Sequence, residues 1–371
     1  MFDIKNGLYQ GAVNSPILFS IYTSDLVGCL TQEIGPLKLN TRKVVLIIPL
    51  KDLVNLRKHT RVTRINCSNF LDPKTLTNLI EALKEIYPTT KEHQRDYQLA
   101  NYLSKVKFVM HLFVFMYMLL IWSFNLFAVL QYAIAMAVGR PIEQFLPYHV
   151  YLPWEWHNTP WYYVLNATEI LAGYTAASGF IASDLLLCAI VSQICMHFDY
   201  INRKVAEYSP KGGKDDLLYL NRMVEYHQKV LHLTNGVNSA FGVSLLFNFA
   251  TSSFIICFVG VQITSGVFNL VSLKFTIFLI SSLFQVYLIC YYGQKITLSS
   301  ENIAVGLYNQ IWYENASTSY KKTMIFMMSR AQKPVQLKAT VALPISLRTF
   351  TEIGQLSYKF FTLLRLMYVQ N

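Results

Sequence analysis

Charge is what this chain has least of. Of its 371 residues only 14% are Asp, Glu, Lys or Arg, where a soluble domain carries about 25%. Hydrophobic residues make up 53% and the mean hydropathy is +0.32, a balance that points away from a water-soluble enzyme and toward a membrane protein. Cysteine is scarce too. Cys29, Cys67, Cys188, Cys195, Cys257 and Cys290 show no zinc-site or disulfide spacing, and the last four sit in apolar runs, as small buried thiols do. No metal site, cofactor or catalytic constellation is expected. Nor is a signal peptide expected, because Met1 to Gly28 lacks a basic region followed by an uninterrupted apolar core.

What the chain does have is length without charge. Phe108 to Gly139 contains no Asp, Glu, Lys or Arg and exceeds the ~30 Å hydrocarbon thickness at about 1.5 Å per residue. Trp161 to Phe198 is broken only by Glu169 and Asp184. Asn235 to Leu273 and Phe275 to Gln294 are separated by Lys274 alone, and read as a hairpin of two spans turning near Gly266. Four spans are therefore predicted. Thr349 to Val369 is ambiguous, because it carries Glu352, Lys359 and Arg365. Its apolar residues recur at helical spacing: Phe350, Ile353, Leu356 or Ser357, Phe360, Leu363 or Leu364, Met367. Such a helix can lie on the bilayer surface or cross it with its polar side against water or protein.

Orientation follows from basic residues in the connections. Arg140 to Pro160 has one and the turn around Gly266 has one, Lys274. His197 to Gly236 has six, and Lys295 to Arg348 has seven. This alternation places the N-terminus and both long connections in the cytoplasm. If the last helix crosses, the C-terminus is extracellular. The net charge of +11 then reads as an orientation signal, and no nucleic-acid partner is expected.

The front of the chain differs from the rest. In "QGAVNSPILFSIYTSDL", Gln10, Gly11, Ser15, Pro16, Phe19, Tyr22, Asp25 and Leu26 match the template-binding stretch of non-LTR retrotransposon reverse transcriptases, and "GPLKLNTRKVVLII" resembles the later palm region. Polymerisation needs convergent carboxylates to hold two metal ions. The Tyr-x-Asp-Asp motif that should stand between these blocks is missing, and "VGCLTQEIG" offers only Glu33. The sole Asp-Asp pair, Asp215–Asp216, is expected in a polar loop. Residues 1–70 are thus expected to be a reverse-transcriptase-like remnant with no active site.

From about Leu71 onward the chain resembles an insect odorant receptor. The carrying blocks are "LIEALKEIYPTTKEHQRDYQLANYLSKV", "LPYHVYLPWEWHNTPWYYV", "LYNQIWYE", "AQKPVQLKA" and "LPISLRTFTEIGQLSYKFFTLLR". The resemblance implies an all-α polytopic transmembrane helix bundle over residues 71–371. It supplies about five spans of a seven-helix fold, near 108–138, 161–196, 237–263, 269–294 and 346–369, with the first two helices missing. It also implies an odorant-tuning subunit of a ligand-gated cation channel in the plasma membrane of olfactory neurons. The implied partners are a shared co-receptor in a four-subunit heteromer, a small volatile apolar odorant and the lipid bilayer. The connection from His197 to Gly236 is too short for the co-receptor itself. A membrane-tethered polymerase remnant is disfavoured by the absent carboxylates, and the product of a decayed or misassembled locus stays open.

An odorant pocket needs aromatic and aliphatic walls with few polar groups. The resemblance places it in the outer half of the bundle. Trp122, Phe124, Asn125, Phe127 and Tyr132 of the first span are the candidate ligand contacts, with Tyr163, Ile170 and Tyr174 of the second. Ordinary packing or lipid contact is the alternative for each. Asn125 and Gln131 are expected to bond across helices. Glu169 and Asp184 are acids inside a span, and a bond to a neighbouring helix or to cytoplasmic water is expected for Asp184. Leu363 and Met367, near the outer end of the last helix, either form a hydrophobic constriction that gates by dewetting or pack against another helix.

Overall fold

The computed structural model describes residues 73–138, 146–148, 159–265, 270–340 and 343–369. The reverse-transcriptase-like stretch lies outside them. In chain order the elements are α1 (Pro73–Ile86), α2 (Lys91–Asp96), α3 (Leu99–Val138), α4 (Trp161–Glu207), α5 (Lys214–Ser265) and α6 (Leu270–Asn309). There follow α7 (Trp312–Asn315), α8 (Thr318–Ala331), a two-stranded antiparallel pair β1 (Lys338–Thr340) and β2 (Leu343–Pro344), and α9 (Leu347–Val369). The fold is mostly helical. Within α3, α4, α5 and α6 it has four segments long and apolar enough to cross a membrane: Leu99–Phe127, Trp161–Glu207, Lys214–Thr264 and Ser272–Asn309. Gly266, where a hairpin turn was expected, falls between α5 and α6 and lies outside the described residues.

The long helices run well past the lengths expected from hydropathy. α4 has 47 residues and α5 has 52, so each is about twice as long as the ~30 Å a bilayer requires. The stretches 197–236 and 295–348, counted above as loops, are in large part helix, and 208–213 alone separates α4 from α5. Charges on the outer faces dilute the hydropathy there, while the inner faces keep the helical apolar period. Phe198, Ile201 and Val205 continue α4, and Ile296, Ile303 and Leu307 continue α6, all at 0–1% exposure. The best-packed core lies in these extensions. Tyr320, Met324 and Met327 of α8 close over it, and Ser317 caps α8 by accepting from the Tyr320 N–H.

The Asp215–Asp216 pair is corrected by the structure. It forms the first turn of α5 rather than part of a loop. The Asp216 carboxylate accepts from the Tyr208 hydroxyl at 2.7 Å and from the backbone N–H groups of Lys211, Gly212 and Gly213 at 2.7–3.0 Å. Gly212 has φ +85°, which a residue without Cβ adopts freely, and this curls the three N–H groups toward the carboxylate. Burial, together with the neighbouring Asp216 carboxylate, pushes the Tyr208 hydroxyl well above its ordinary pKa, so it stays a donor. Asp216→Ala strands these donors and is expected to cost about 2 kcal/mol, read as a lowered melting temperature of the detergent-solubilised protein.

A second polar cluster ties α2 and α3 to α4 and α5. The Tyr97 and Tyr226 hydroxyls are 2.8 Å apart, and the Tyr226 hydroxyl lies 2.8 Å from His197 Nδ1. Tyr97 stacks on Tyr200 at 3.9 Å, and burial raises its pKa to about 12. Tyr102 donates to Asp199, and Lys204 pairs with Asp96 at 3.0 Å.

α9 lies against α5 and α6 along its length. Phe350 meets Tyr287 of α6, Phe360 meets Phe254 of α5, and Phe361 packs over Gly260 of α5. The helix therefore runs parallel to α5 and antiparallel to α6. Its inward stripe is Thr349, Ile353 and Ser357, at 4, 8 and 1% exposure. Leu356 points outward, so Ser357 occupies the buried turn. Small residues let helices approach closely where lipid offers no hydrophobic drive, which an apolar-periodicity reading does not capture.

Candidate functional site

Between α3, α4 and α6 lies an aromatic cluster. Phe124 of α3 stands at its centre. Its ring centroid is 5.8 Å from Phe278 and 6.4 Å from Phe275, both on α6 and both edge-on. On another side Tyr148, from the connection between α3 and α4, stacks on Phe124 at 5.9 Å. Tyr148 is held there from two directions. Its backbone N–H donates to the Glu169 carboxylate of α4 at 3.1 Å, and its hydroxyl presses on Gly173, where an added Cβ would lie 2.3 Å from the oxygen. One turn of α4 thus needs both an acid and a glycine to seat this tyrosine. Trp122 Nε1 donates to the Tyr174 hydroxyl at 3.1 Å, joining α3 to α4.

Polar groups are few here, and two are unusual. Asn125 continues the inward stripe of Phe113, Tyr117 and Ile121 on α3 and is 9% exposed. Among the described residues neither its amide nitrogen nor its oxygen has a partner, so the cross-helix bond expected for it is not seen there. Lys274 was counted as a charge in a short turn, but it lies inside the bundle. Its Nζ is 4.6 Å from the ring centroids of both Phe124 and Phe127. Deeper along α4, Gln285 of α6 donates to Asp184 at 2.6 Å, the expected bond to a neighbouring helix.

The structure brings Phe124 and Phe127 together at Lys274, while Trp122, 54% exposed, meets Tyr174 and Asn125 lies on the buried stripe of α3. Tyr163 is 71% exposed, and its ring contact is with Tyr162. Ile170 is half-buried on α4. The Tyr132 and Met367 side chains lie outside the described part. Leu363 is 53% exposed on the face of α9 turned away from the bundle. Glu352 and Lys359 are exposed as well. Sequence reasoning missed Tyr148, Phe275, Phe278 and Lys274 as members of the site. The aromatic density of "LPYHVYLPWEWHNTPWYYV" was the available signal for Tyr148, and the missing charge partner was the signal for Lys274.

The profile of the family described as 7tm Odorant receptor matches residues 67–358. The chain belongs to the odorant receptor family. Odorant receptor 85c of Drosophila melanogaster is 42% identical over 298 residues, spanning 80% of this chain and 76% of that receptor. Odorant receptor 85b of the same fly is 43% identical over the same length. Among solved structures, the insect olfactory receptor OR5 from Machilis hrabei, in complex with eugenol, aligns with a TM-score of 0.64. That alignment spans 79% of this chain and 75% of OR5 at 15% identity, a likeness of fold. The chain is accordingly a multi-pass membrane receptor rather than an enzyme.

Proposed function

We propose that this odorant receptor is the odorant-tuning subunit of a ligand-gated cation channel, and that the Phe124 cluster binds the odorant. The supporting observation is the pairing of aromatic walls from α3 and α6 with a buried Asn125 that has no partner among the described residues. That combination suits a small, mostly apolar ligand needing one or two orienting groups. Binding opens the channel through higher affinity for the open state. Leu363 and Met367 of α9 supply the constriction, and the exposure of Leu363 within a single chain fits a surface facing a pore or a neighbouring subunit. The receptor works with a shared co-receptor, in a four-subunit plasma-membrane assembly in sensory dendrites. Its N-terminus is cytoplasmic and its C-terminus extracellular, with α9 as the fifth span. Residues 1–70 are a reverse-transcriptase-like remnant, and 71–371 carry the third to seventh helices of the fold.

Recording odorant-evoked current from cells co-expressing the co-receptor tests this directly. Deleting residues 1–70 is expected to leave the current unchanged. Adding two upstream helices from a complete relative is expected to create it or raise it several-fold. No evoked current after that addition would overturn the receptor function.

A further inference from the structure

The elbow that joins α2 to α3 is bent in a way its sequence does not favour. Gln98 has φ +50°, left-handed backbone that a residue with a Cβ adopts only at a cost. Strain of this kind persists where the surroundings hold it in place, and here α4 and α5 do so. The Tyr226 hydroxyl of α5 lies 2.8 Å from the Tyr97 hydroxyl and 2.8 Å from His197 Nδ1 of α4, so one oxygen ties the elbow to two helices. Arg203 of α4 donates to the Asp96 carbonyl at 2.8 Å, and Lys204 pairs with the Asp96 carboxylate at 3.0 Å, which sets two cations at the C-terminal end of α2. Tyr102, one turn into α3, donates to Asp199. The buried apolar contacts of the elbow are few and its own: Tyr97, Leu99 and Met196 form a small cluster separate from the main core.

We infer that this elbow is a strained latch, held shut by the Tyr97–Tyr226–His197 chain, that lets go as a unit while the main core stays packed. On release Tyr97 leaves Tyr226 and its stack on Tyr200, Gln98 relaxes, and the inner end of α3 comes free of α4 and α5. A segment with a small apolar cluster of its own opens locally, at less than the cost of unfolding the whole bundle. α3 runs unbroken for 40 residues from Leu99, and Phe124 stands about 38 Å along it. In a channel whose helices shift between closed and open arrangements, this rod moves at its inner end only when the elbow yields. That consequence rests on the proposed channel, whereas the release itself does not.

Amide hydrogen exchange of the full chain in lipid nanodiscs tests it. Peptides covering 91–104 report the elbow, and peptides covering 296–307 and 320–331 report the main core. In the unmodified chain the elbow is expected to exchange at least about tenfold faster than the core, yet to remain protected. Tyr226→Phe keeps the ring and removes the shared oxygen, and is expected to speed exchange of the elbow by about tenfold or more with the core unchanged. Gln98→Gly relieves the left-handed strain and is expected to slow the elbow several-fold. If Tyr226→Phe does not yield monodisperse protein, Tyr97→Phe, which keeps the stack on Tyr200, takes its place with the same expected direction. Equal exchange of elbow and core in the unmodified chain overturns the latch. So does a hydroxyl variant that leaves the elbow unchanged, or that speeds elbow and core alike as a purely structural role would. Unslowed exchange in Gln98→Gly overturns the strain that drives release.

Discussion

Gly293→Val is expected to abolish recovery of monodisperse receptor, and Gly293→Ala to lower its melting temperature clearly. At Gly293 the chain entering α9 lies directly on α6. An added Cβ would sit 2.5 Å from the Ile345 carbonyl oxygen, 2.8 Å from its Cγ2 and 3.0 Å from its carbonyl carbon. The obstacle is mostly backbone, and that backbone is fixed. Ile345 N–H donates to Leu337 at 2.8 Å, and the Thr349 hydroxyl donates to the Pro344 carbonyl at 2.7 Å. On the other side Asn238 of α5 holds β1 by bonds to the Gln336 carbonyl and the Lys338 N–H. Overpacking a fixed contact costs about 1–3 kcal/mol for small additions, against a total stability of about 5–15 kcal/mol for a typical domain. Gly354→Ala is the matched control. Nothing lies within 4 Å of a Cβ there, so the same change on α9 is expected to be neutral or to stabilise by about 0.5–1 kcal/mol. Size-exclusion profiles and melting curves of the three variants check both halves.

Gln285→Leu is expected to destabilise by about 3 kcal/mol, and Asp184→Leu combined with it to recover most of that loss. Asp184 is 4% exposed in the apolar interior between α4 and α6, and Gln285, at 6%, is its described hydrogen-bond partner. Removing the donor leaves a buried carboxyl unpaired, which costs more than the bond itself contributes. Replacing both by leucine removes the polar burden together with the bond. Melting temperatures of the two single variants and the double variant form a cycle. Additive losses would show that Asp184 has another role, such as contact with water in a permeation path.

The family, the helical class and the four apolar spans were legible because lipid demands long uncharged runs and each sequence block has a fixed place along them. The extent of the helices was not. Past His197 and Lys295 the inner faces stay apolar while the outer faces turn charged, so a hydropathy average falls although the helix and its core continue. Likewise α9 buries Thr349 and Ser357 because close helix approach rewards small side chains. Trp122, Phe124 and Tyr174 were nameable as candidates from chemistry and depth alone. Tyr148 and Lys274 were not, since their positions depend on a connection folding inward onto Glu169 and on one helix facing another across the bundle.

The claim on which most depends is that a small ligand sits among α3, α4 and α6 at Phe124. Photolabelling the full chain, co-assembled with its co-receptor, with a diazirine-bearing alkyl probe and mapping the modified peptides tests it most directly. The account predicts adducts on residues 121–127 and 272–278 that an excess of the unlabelled parent compound suppresses. Label spread over outward residues such as Phe115 and Leu130, unaffected by competitor, would contradict it.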